Sequence, residues 1–331
     1  MIAAVVGGGS WGSAFALHLG RAGIPTRLWI REPDIRAAAV RGRENAVFLP
    51  GFKFPPEVAF PAVPSEAVSG ADLVFLAVPS AFFRSVLSRV APHLRPSQGV
   101  ISLTKGLETG SLLRMSEVMA NGLAKRGVSR FGVLSGPSFS LEVAREFPTA
   151  LVLASREAAW AREVQAGIAG PAFRVYVSRD VVGVELAGAL KNVIAIAAGI
   201  SDGLGFGHNA RAALITRGLA EIARLGAALG AKRATFAGLA GMGDLVLTCT
   251  GALSRNRTVG FELGRGRTLA AITAETRMVA EGVATARAAR TLARRTGVEM
   301  PIAEQIYRIL YHGQDPRGAL ADLMARSLKD E

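Results

Sequence analysis

Hydrophobic and polar positions follow two regimes along the 331-residue chain. Through about residue 180, short apolar runs recur between amphipathic stretches. Ile2–Val6, Thr26–Ile30, Leu73–Val78, Val100–Leu103, Phe131–Leu134, Thr149–Ala154 and Phe173–Val177 read as strands. Leu73–Val78 is apolar throughout, as expected of a parallel strand covered on both faces. Helical patterns follow several of them: from the glycines at 7–12 to about Ala22, over Asp34–Arg41, and near Phe82–Ala91. Repeated strand–helix units predict a doubly wound parallel sheet with right-handed crossovers. Ligands should gather at the carboxyl ends of its strands, where Ser10, Pro79, Lys105 and Gly136 fall.

Beyond Asp180 the strand pattern fades. Val181–Ile200 is apolar on nearly every face and predicts a buried central helix. Asn209–Leu229 is amphipathic, with Asn209 as its expected N-cap. Further helices are expected at Leu269–Ala274, Ala284–Arg295, Ile302–Tyr311 and Ala319–Leu328. The change of period divides the chain into a strand–helix domain, 1–180, and an all-helical domain, 181–331.

Composition narrows the chemistry. Half the residues are apolar and 20% are charged, enough for a large core. The one cysteine, Cys249, forms no internal disulfide and fits a reducing compartment. His18, His93, His208 and His312 are scattered, so no metal site is expected. Met1 leads directly into a strand, with no signal-peptide pattern. The longest apolar stretch, Val193–Ile200, is too short to span a bilayer and is preceded by Lys191-Asn192. The expectation is a soluble, cytoplasmic protein that does not cross a membrane. The net charge of +13 is dispersed and has no interleaved aromatics, which argues against nucleic acid as a partner. The same charge would favour an anionic substrate.

Gly7, Gly9 and Gly12 have the G-x-G-x-x-G spacing, between a strand and a helix. One glycine permits the tight turn, the next lets the backbone approach a pyrophosphate, and the third lets helix and strand pack. A plain strand–turn–helix would use the same residues, but the N-terminal position favours a Rossmann-type dinucleotide site. At the end of the second strand stand Arg31 and Glu32. An arginine there accommodates the 2′-phosphate of NADP, whereas an acidic residue binds the ribose of NAD. NADPH is therefore favoured, with NAD open. An Arg31 that only stacks on adenine would serve either.

Lysine is rare, at six of 39 basic residues, and two lysines fall in otherwise apolar motifs. Lys105 lies in Thr104-Lys105-Gly106, just past a strand end. Lys191 lies beside Asn192 in the most apolar helix of the chain. A buried lysine is rare unless paired or functional. Burial draws its pKa down from about 10.4, and a nearby cation such as Lys105 would act the same way, which suits a general acid or base. Ser135-Gly136-Pro137-Ser138-Phe139 offers hydroxyls and backbone N–H groups, or simply a rigid turn. Asp244, in Gly241-Met242-Gly243-Asp244-Leu245, is either a helix N-cap or the partner that orients Lys191. Ser254-Arg255-Asn256-Arg257 suits a phosphate, though it also reads as a helix start with solvated arginines.

These motifs together resemble the bacterial NAD(P)-dependent sn-glycerol-3-phosphate dehydrogenases over essentially the whole chain. The resemblance is carried by Gly7–Gly12, Thr104–Gly106, Ser135–Phe139, Leu190-Lys191-Asn192-Val193, Ser201–Gly205 and Asn209-Ala210-Arg211. It continues through Gly243-Asp244-Leu245 with Thr248-Cys249-Thr250, then Ser254-Arg255-Asn256, Val279–Gly282 and Met300-Pro301-Ile302. It implies reversible reduction of dihydroxyacetone phosphate to sn-glycerol 3-phosphate, the backbone of phospholipids, in a homodimer. It implies Lys191 as proton donor and acceptor, with Lys105, Gly136, Ser138, Asp244, Ser254, Arg255 and Asn256 around a small phosphorylated substrate. At the cofactor it places Ser10, Trp11, Arg31, Lys105, Ser140, Arg255, Val279 and Glu281. Position 140 is more often alanine in that family, so a contact there is expected through the backbone.

The mechanism expected is hydride delivery to the C2 carbonyl carbon with proton donation by Lys191. Asp244 would hold the ammonium, Lys105 would add electrostatic stabilisation, and Arg255 and Asn256 would grip the phosphate. A two-domain dehydrogenase of β-hydroxy acids is the alternative within enzymes. A non-catalytic sensor of NAD(P)H is the alternative outside them, and it has no use for a buried lysine.

Overall fold

The computed structural model describes residues 1–275 and 279–325. The chain forms two compact units. One comprises residues 1–108 and 113–185, the other residues 109–112 and 186–331.

The first unit holds β1 (Ala3–Val6), α1 (Ser10–Arg21), β2 (Thr26–Trp29), α2 (Pro33–Gly42), β3 (Val58–Ala59), α3 (Pro64–Val68), β4 (Leu73–Leu76) and α4 (Ser80–Val90). It continues with β5 (Gly99–Ser102), α5 (Met115–Leu123), β6 (Phe131–Ser135), α6 (Ser140–Ala144), β7 (Thr149–Ala154), α7 (Ala158–Ile168) and β8 (Phe173–Ser178). The eight strands form one sheet in the order β3-β2-β1-β4-β5-β6-β7-β8. β1, β4 and β5 are buried at every position, because helices cover both faces of the sheet. Phe15, Phe75 and Phe173 pack in the core beneath α1, with Phe15 edge-on to Phe75 at 4.8 Å.

All pairings are parallel except β6 with β7, a departure from the fully parallel sheet expected. The connection there contains only the five-residue α6. It does not run back along the sheet as a parallel crossover must, so β7 returns antiparallel. From β1 the chain turns to β2 on one side, and later to β4 on the other. That reversal is the switch point at which open α/β sheets bind ligands. The turns after β1, β2, β4, β5 and β6 share this edge, which carries Gly7, Arg31, Pro79, Lys105 and Gly136.

The helical region comprises α8 (Val181–Gly203), α9 (His208–Ala228), α10 (Arg233–Phe236), α11 (Asp244–Thr250), α12 (Arg255–Gly264) and α13 (Leu269–Ala274). It closes with α14 (Glu281–Thr296), α15 (Pro301–His312) and α16 (Pro316–Met324). The first unit extends five residues past the division expected at 180. Glu185 of α8 accepts hydrogen bonds from the Ser116 backbone at 2.7 Å and the Arg114 guanidinium at 2.8 Å. At 23 residues, α8 is long and apolar enough to cross a membrane, contrary to the short stretch read from the sequence. Yet 89% of its most apolar window is buried within the protein.

Two helix boundaries differ from expectation. α9 begins at His208 with Gly207, in extended backbone, as its N-cap, so Asn209 lies inside the helix. The last helix starts earlier, at Pro316, and Asp315 caps it through a 2.8 Å bond from the Gly318 N–H. Residues 326–328, expected to end it, lie outside the described residues.

Candidate active site

In the first unit the glycine turn is shaped by close approach. Gly7 adopts φ +122°, and a Cβ there would collide with the Ala77 carbonyl. A Cβ at Gly12 would meet the Gly7 carbonyl oxygen. Gly9 is the opposite case: no atom lies near the position its Cβ would take, leaving backbone accessible to a ligand. Gly9 is also the N-cap of α1 and provides no side-chain acceptor, and the first turn carries no acidic residue. The helix N-terminus is therefore suited to an anion. The buried indole N–H of Trp11 has no hydrogen-bond partner among the described residues. Open backbone, an uncapped helix start and an orphaned donor fit a dinucleotide.

Asn45 holds this turn in place, a role that no motif announced. Its buried amide donates to the Gly8 carbonyl at 2.7 Å and to Ser13 Oγ at 2.9 Å. Its Oδ1 accepts from the Phe48 N–H at 3.2 Å. The available signal was an asparagine bonding its own loop a few residues on.

Arg31, at the end of β2, donates from Nε and Nη2 to Glu32 Oε1 at 2.9 and 2.7 Å. Its guanidinium lies over the Phe82 ring, 5.7 Å from the centroid. The two residues that argued for different cofactors thus form one ion pair. Farther along the edge, Lys105 Nζ donates to the Gly136 carbonyl at 2.7 Å and to Ser138 Oγ at 3.3 Å. Gly136 takes φ +136°, a conformation that favours glycine. Ser138 Oγ also donates to Gly136 at 3.0 Å, and Ser140 begins α6. Ser135 Oγ, buried at the end of β6, has no partner among the described residues.

In the second unit, Lys191 Nζ donates to Asp244 Oδ1 at 2.7 Å and to Thr248 Oγ1 at 2.5 Å. The Lys191 and Asp244 side chains are 7% and 1% exposed. Such a buried pair persists because each charge compensates the other and hydrogen bonds satisfy the remaining valences. Thr248 was missed as a partner of Lys191. It lies one turn beyond Asp244 on α11 and donates to the Asp244 carbonyl at 2.6 Å. Asp244 is the first residue of α11 and Gly243 is its N-cap, so the carboxylate faces the lysine instead of capping the helix. A π-helical turn, Leu239–Gly243, leads into it, a distortion common at functional sites. Burial pushes the Cys249 thiol up to about 12, which leaves it inert at neutral pH.

α12 brings the phosphate candidates. Ser254 is its N-cap and accepts from the Arg257 N–H at 3.2 Å, so the helix-start reading holds for this hydroxyl. Arg257 pairs with Asp202 at 2.7 Å, as does Arg211. Arg255 is outside that network. Crowding by protein lowers its pKa from the ordinary value, opposed by the negative charge of Glu281. Asn256 donates to Asn192 Oδ1 at 2.9 Å and accepts from the Gly282 N–H at 2.9 Å. This chain joins α8, α12 and the start of α14, where Glu281 is the first helical residue; Val279, just before that start, is exposed. The sequence reading did not foresee that Asn192 sets the orientation of Asn256. Glycines let the helices come this close. A Cβ at Gly199 would strike the Arg257 carbonyl, and one at Gly260 the Ile196 carbonyl. Among the described residues, no group of three His, Cys, Asp or Glu side chains is placed to hold a metal ion.

A switch-point nucleotide edge on one unit and a buried, compensated lysine in the other define a nicotinamide-dependent oxidoreductase. Residues 2–161 match the family described as NAD-dependent glycerol-3-phosphate dehydrogenase N-terminus, and residues 180–321 match its C-terminus. The chain belongs to this glycerol-3-phosphate dehydrogenase family. It is 54% identical to glycerol-3-phosphate dehydrogenase [NAD(P)+] of Geobacter sulfurreducens, over 99% of this chain and 98% of the relative. A relative of the same name from Solidesulfovibrio magneticus is 50% identical, with 99% of each chain covered. Among solved structures, glycerol-3-phosphate dehydrogenase from Coxiella burnetii superposes with a TM-score of 0.93 at 40% identity, covering 98% of both chains.

Proposed function

We propose that this chain catalyses the reversible, NAD(P)H-dependent reduction of dihydroxyacetone phosphate to sn-glycerol 3-phosphate. The observation that carries the reading is the Lys191 ammonium, buried and held by Asp244 and Thr248. Bound NAD(P)H supplies the hydride. As negative charge develops on the C2 carbonyl oxygen of the substrate, Lys191 donates a proton to it. In the reverse direction, the Lys191 amine takes the proton from the C2 hydroxyl. Asp244 holds Nζ in place and compensates its charge. Arg255 and Asn256, with the Ser254 hydroxyl, take the phosphate, and that remote binding energy positions the carbonyl.

The first unit holds the dinucleotide. Gly7, Gly9, Ser10 and Gly12, with Trp11 beside them, would hold its pyrophosphate. Arg31 serves the adenosine end, with NADPH favoured. Lys105, Gly136, Ser138 and Ser140 complete that edge. Arg255, Val279 and Glu281 are the contacts from residues 186–331. The reading carries with it a cytoplasmic homodimer supplying the backbone of glycerophospholipids.

Absorbance at 340 nm tests it, with dihydroxyacetone phosphate and with NADPH and NADH in parallel. Loss dependent on both protein and phosphorylated substrate is expected. Equal turnover of unphosphorylated dihydroxyacetone, or no turnover with either cofactor, would overturn the substrate assignment. Light scattering after gel filtration tests the dimer.

A further inference from the structure

The peptide between Gly8 and Gly9 lies at the boundary of the first unit's interior. Gly8 is buried and Gly9 is partly exposed. A peptide is planar and trans, so its C=O and N–H point in opposite directions. Only one of the two can face a ligand. Glycine on both sides removes the Cβ clashes that would otherwise select one orientation.

Buried side chains make the selection. The Gly8 carbonyl accepts from Asn45 Nδ2 at 2.7 Å and from Ser13 Oγ at 3.2 Å. Asn45 is wholly buried and lies in the connection between α2 and β3, outside the glycine motif. It also donates to Ser13 Oγ at 2.9 Å, which leaves the Ser13 proton for the Gly8 carbonyl. The Asn45 amide is fixed in turn, because Oδ1 accepts from the Phe48 N–H at 3.2 Å. Exchanging its O and N would set an oxygen against the Gly8 carbonyl and an N–H against that of Phe48.

With the Gly8 carbonyl held inward, the Gly9 N–H points outward. That N–H has no hydrogen-bond partner among the described residues. No atom lies within 4 Å of the place a Cβ would take at Gly9. A reversed peptide would turn the Gly8 oxygen outward, against the oxygens of any anion, and leave the buried Asn45 amide short of an acceptor.

We propose, on the reading that this turn holds the pyrophosphate, that Asn45 is a positioning residue for the cofactor: it locks the Gly8–Gly9 peptide so that the Gly9 N–H is presented to the pyrophosphate. Being wholly buried, Asn45 acts through that peptide and not by contact.

Fluorescence titration and steady-state kinetics of the full chain test this, with whichever of NADPH and NADH the parent binds more tightly. Asn45→Leu keeps the volume and removes the hydrogen bonds. It should weaken cofactor binding at least about tenfold and raise the cofactor KM in step, while kcat at saturating cofactor changes less than about threefold. Ser13→Ala removes only the second donor and should weaken binding by about threefold. Gly9→Pro removes the N–H itself, at a φ of −68° and in open space that admit the ring, and should weaken binding at least as much as Asn45→Leu. Circular dichroism at the titration temperature shows which variants are folded. A folded Asn45→Leu that binds like the parent would overturn the proposal. So would a loss of kcat with affinity unchanged, the mark of a structural role, or a Gly9→Pro that binds like the parent. Should Asn45→Leu not fold, Ser13→Ala takes its place, and parent-like affinity there would overturn the proposal. A parent that binds neither nucleotide would instead overturn the dinucleotide reading itself, and the proposal with it.

Discussion

Lys191 Nζ and Asp244 Oδ1 lie 2.7 Å apart, both side chains almost wholly out of solvent. The pair joins α8 to α11 across 53 residues of chain. Taking two charges out of water is costly, and the attraction between them offsets the cost only while both are present. Lys191→Ala is expected to cut turnover at least ~100-fold, the usual scale of lost general acid catalysis. Lys191→Arg should fare no better, because a guanidinium does not release its proton. Dissociation constants for NADPH should stay near the parent value in both. Asp244→Leu should lose activity and also about 3–5 kcal/mol of stability, by leaving an uncompensated ammonium. The double variant Lys191→Met with Asp244→Leu should regain much of that stability and none of the activity. Denaturant unfolding of the three variants checks the pattern. A double variant no more stable than Asp244→Leu would count against charge compensation.

Arg255 and Arg257 sit two residues apart but differ in what they touch. Arg257 is committed to Asp202, whereas Arg255 stands near Glu281. Arg255→Ala is expected to raise KM for dihydroxyacetone phosphate about tenfold to a hundredfold, the range for one charge-assisted hydrogen bond of ~1.5–3 kcal/mol. The weak turnover of unphosphorylated dihydroxyacetone should change little. Arg257→Ala should instead lower the melting temperature. Steady-state kinetics on both substrates separates the two roles, and an unchanged KM in Arg255→Ala would move the phosphate site elsewhere.

The ion pair between Arg31 and Glu32 sets the balance between cofactors. A 2′-phosphate must compete with the Glu32 carboxylate for the guanidinium, and meets its negative charge as well. Glu32→Gln should therefore tighten NADPH binding, by about tenfold for ~1.4 kcal/mol of relieved repulsion, and leave NADH binding equal or weaker. Fluorescence titration with each nucleotide gives the ratio independently of turnover. Parallel shifts for both nucleotides would show that Glu32 does not discriminate.

What was legible in the chain was chemistry set against a contrasting background. Glycines after an apolar strand, a lysine in an apolar helix and an aspartate among glycines each break their local pattern. The parallel order of most of the sheet followed from repetition of one unit, whereas the antiparallel return of β7 was not legible there. Thr248, Asn192 and Asn45 were not legible as partners, because their roles are distances between elements. Thr248 reaches Lys191 over 57 residues, and Asn45 reaches Gly8 over 37. The central helix was legible from Val181 to Ile200, and the structure extends it to Gly203. What was underestimated was its apolar span, because Lys191-Asn192 looked like an interruption of it, whereas Asp244 and Asn256 satisfy those side chains from other helices. At Asn209 a local capping preference lost to the extended backbone of Gly207.

His18 ties the stability of the first unit to pH. Its ring stacks on Phe173, with centroids 4.1 Å apart, and Nε2 lies 2.8 Å from the Ile168 carbonyl. A carbonyl only accepts, so Nε2 carries the proton and Nδ1 is bare in the neutral ring. Burial pushes the pKa of His18 below its ordinary 6.5, against smaller raising effects from the Ile168 bond and Glu146. The folded state thus binds this proton more weakly than the unfolded state does. Its contribution is present above about pH 6.5 and is lost as pH falls through the depressed folded value. Urea unfolding midpoints should fall from pH 7.5 towards pH 5.5, with part of the slope removed by His18→Gln. That variant keeps a donor for Ile168 and has no charge to gain. Since carboxylates also titrate towards the acid end, the comparison is the difference between the two proteins at each pH. A difference that stays constant from pH 7.5 to 5.5 would remove His18 as the source.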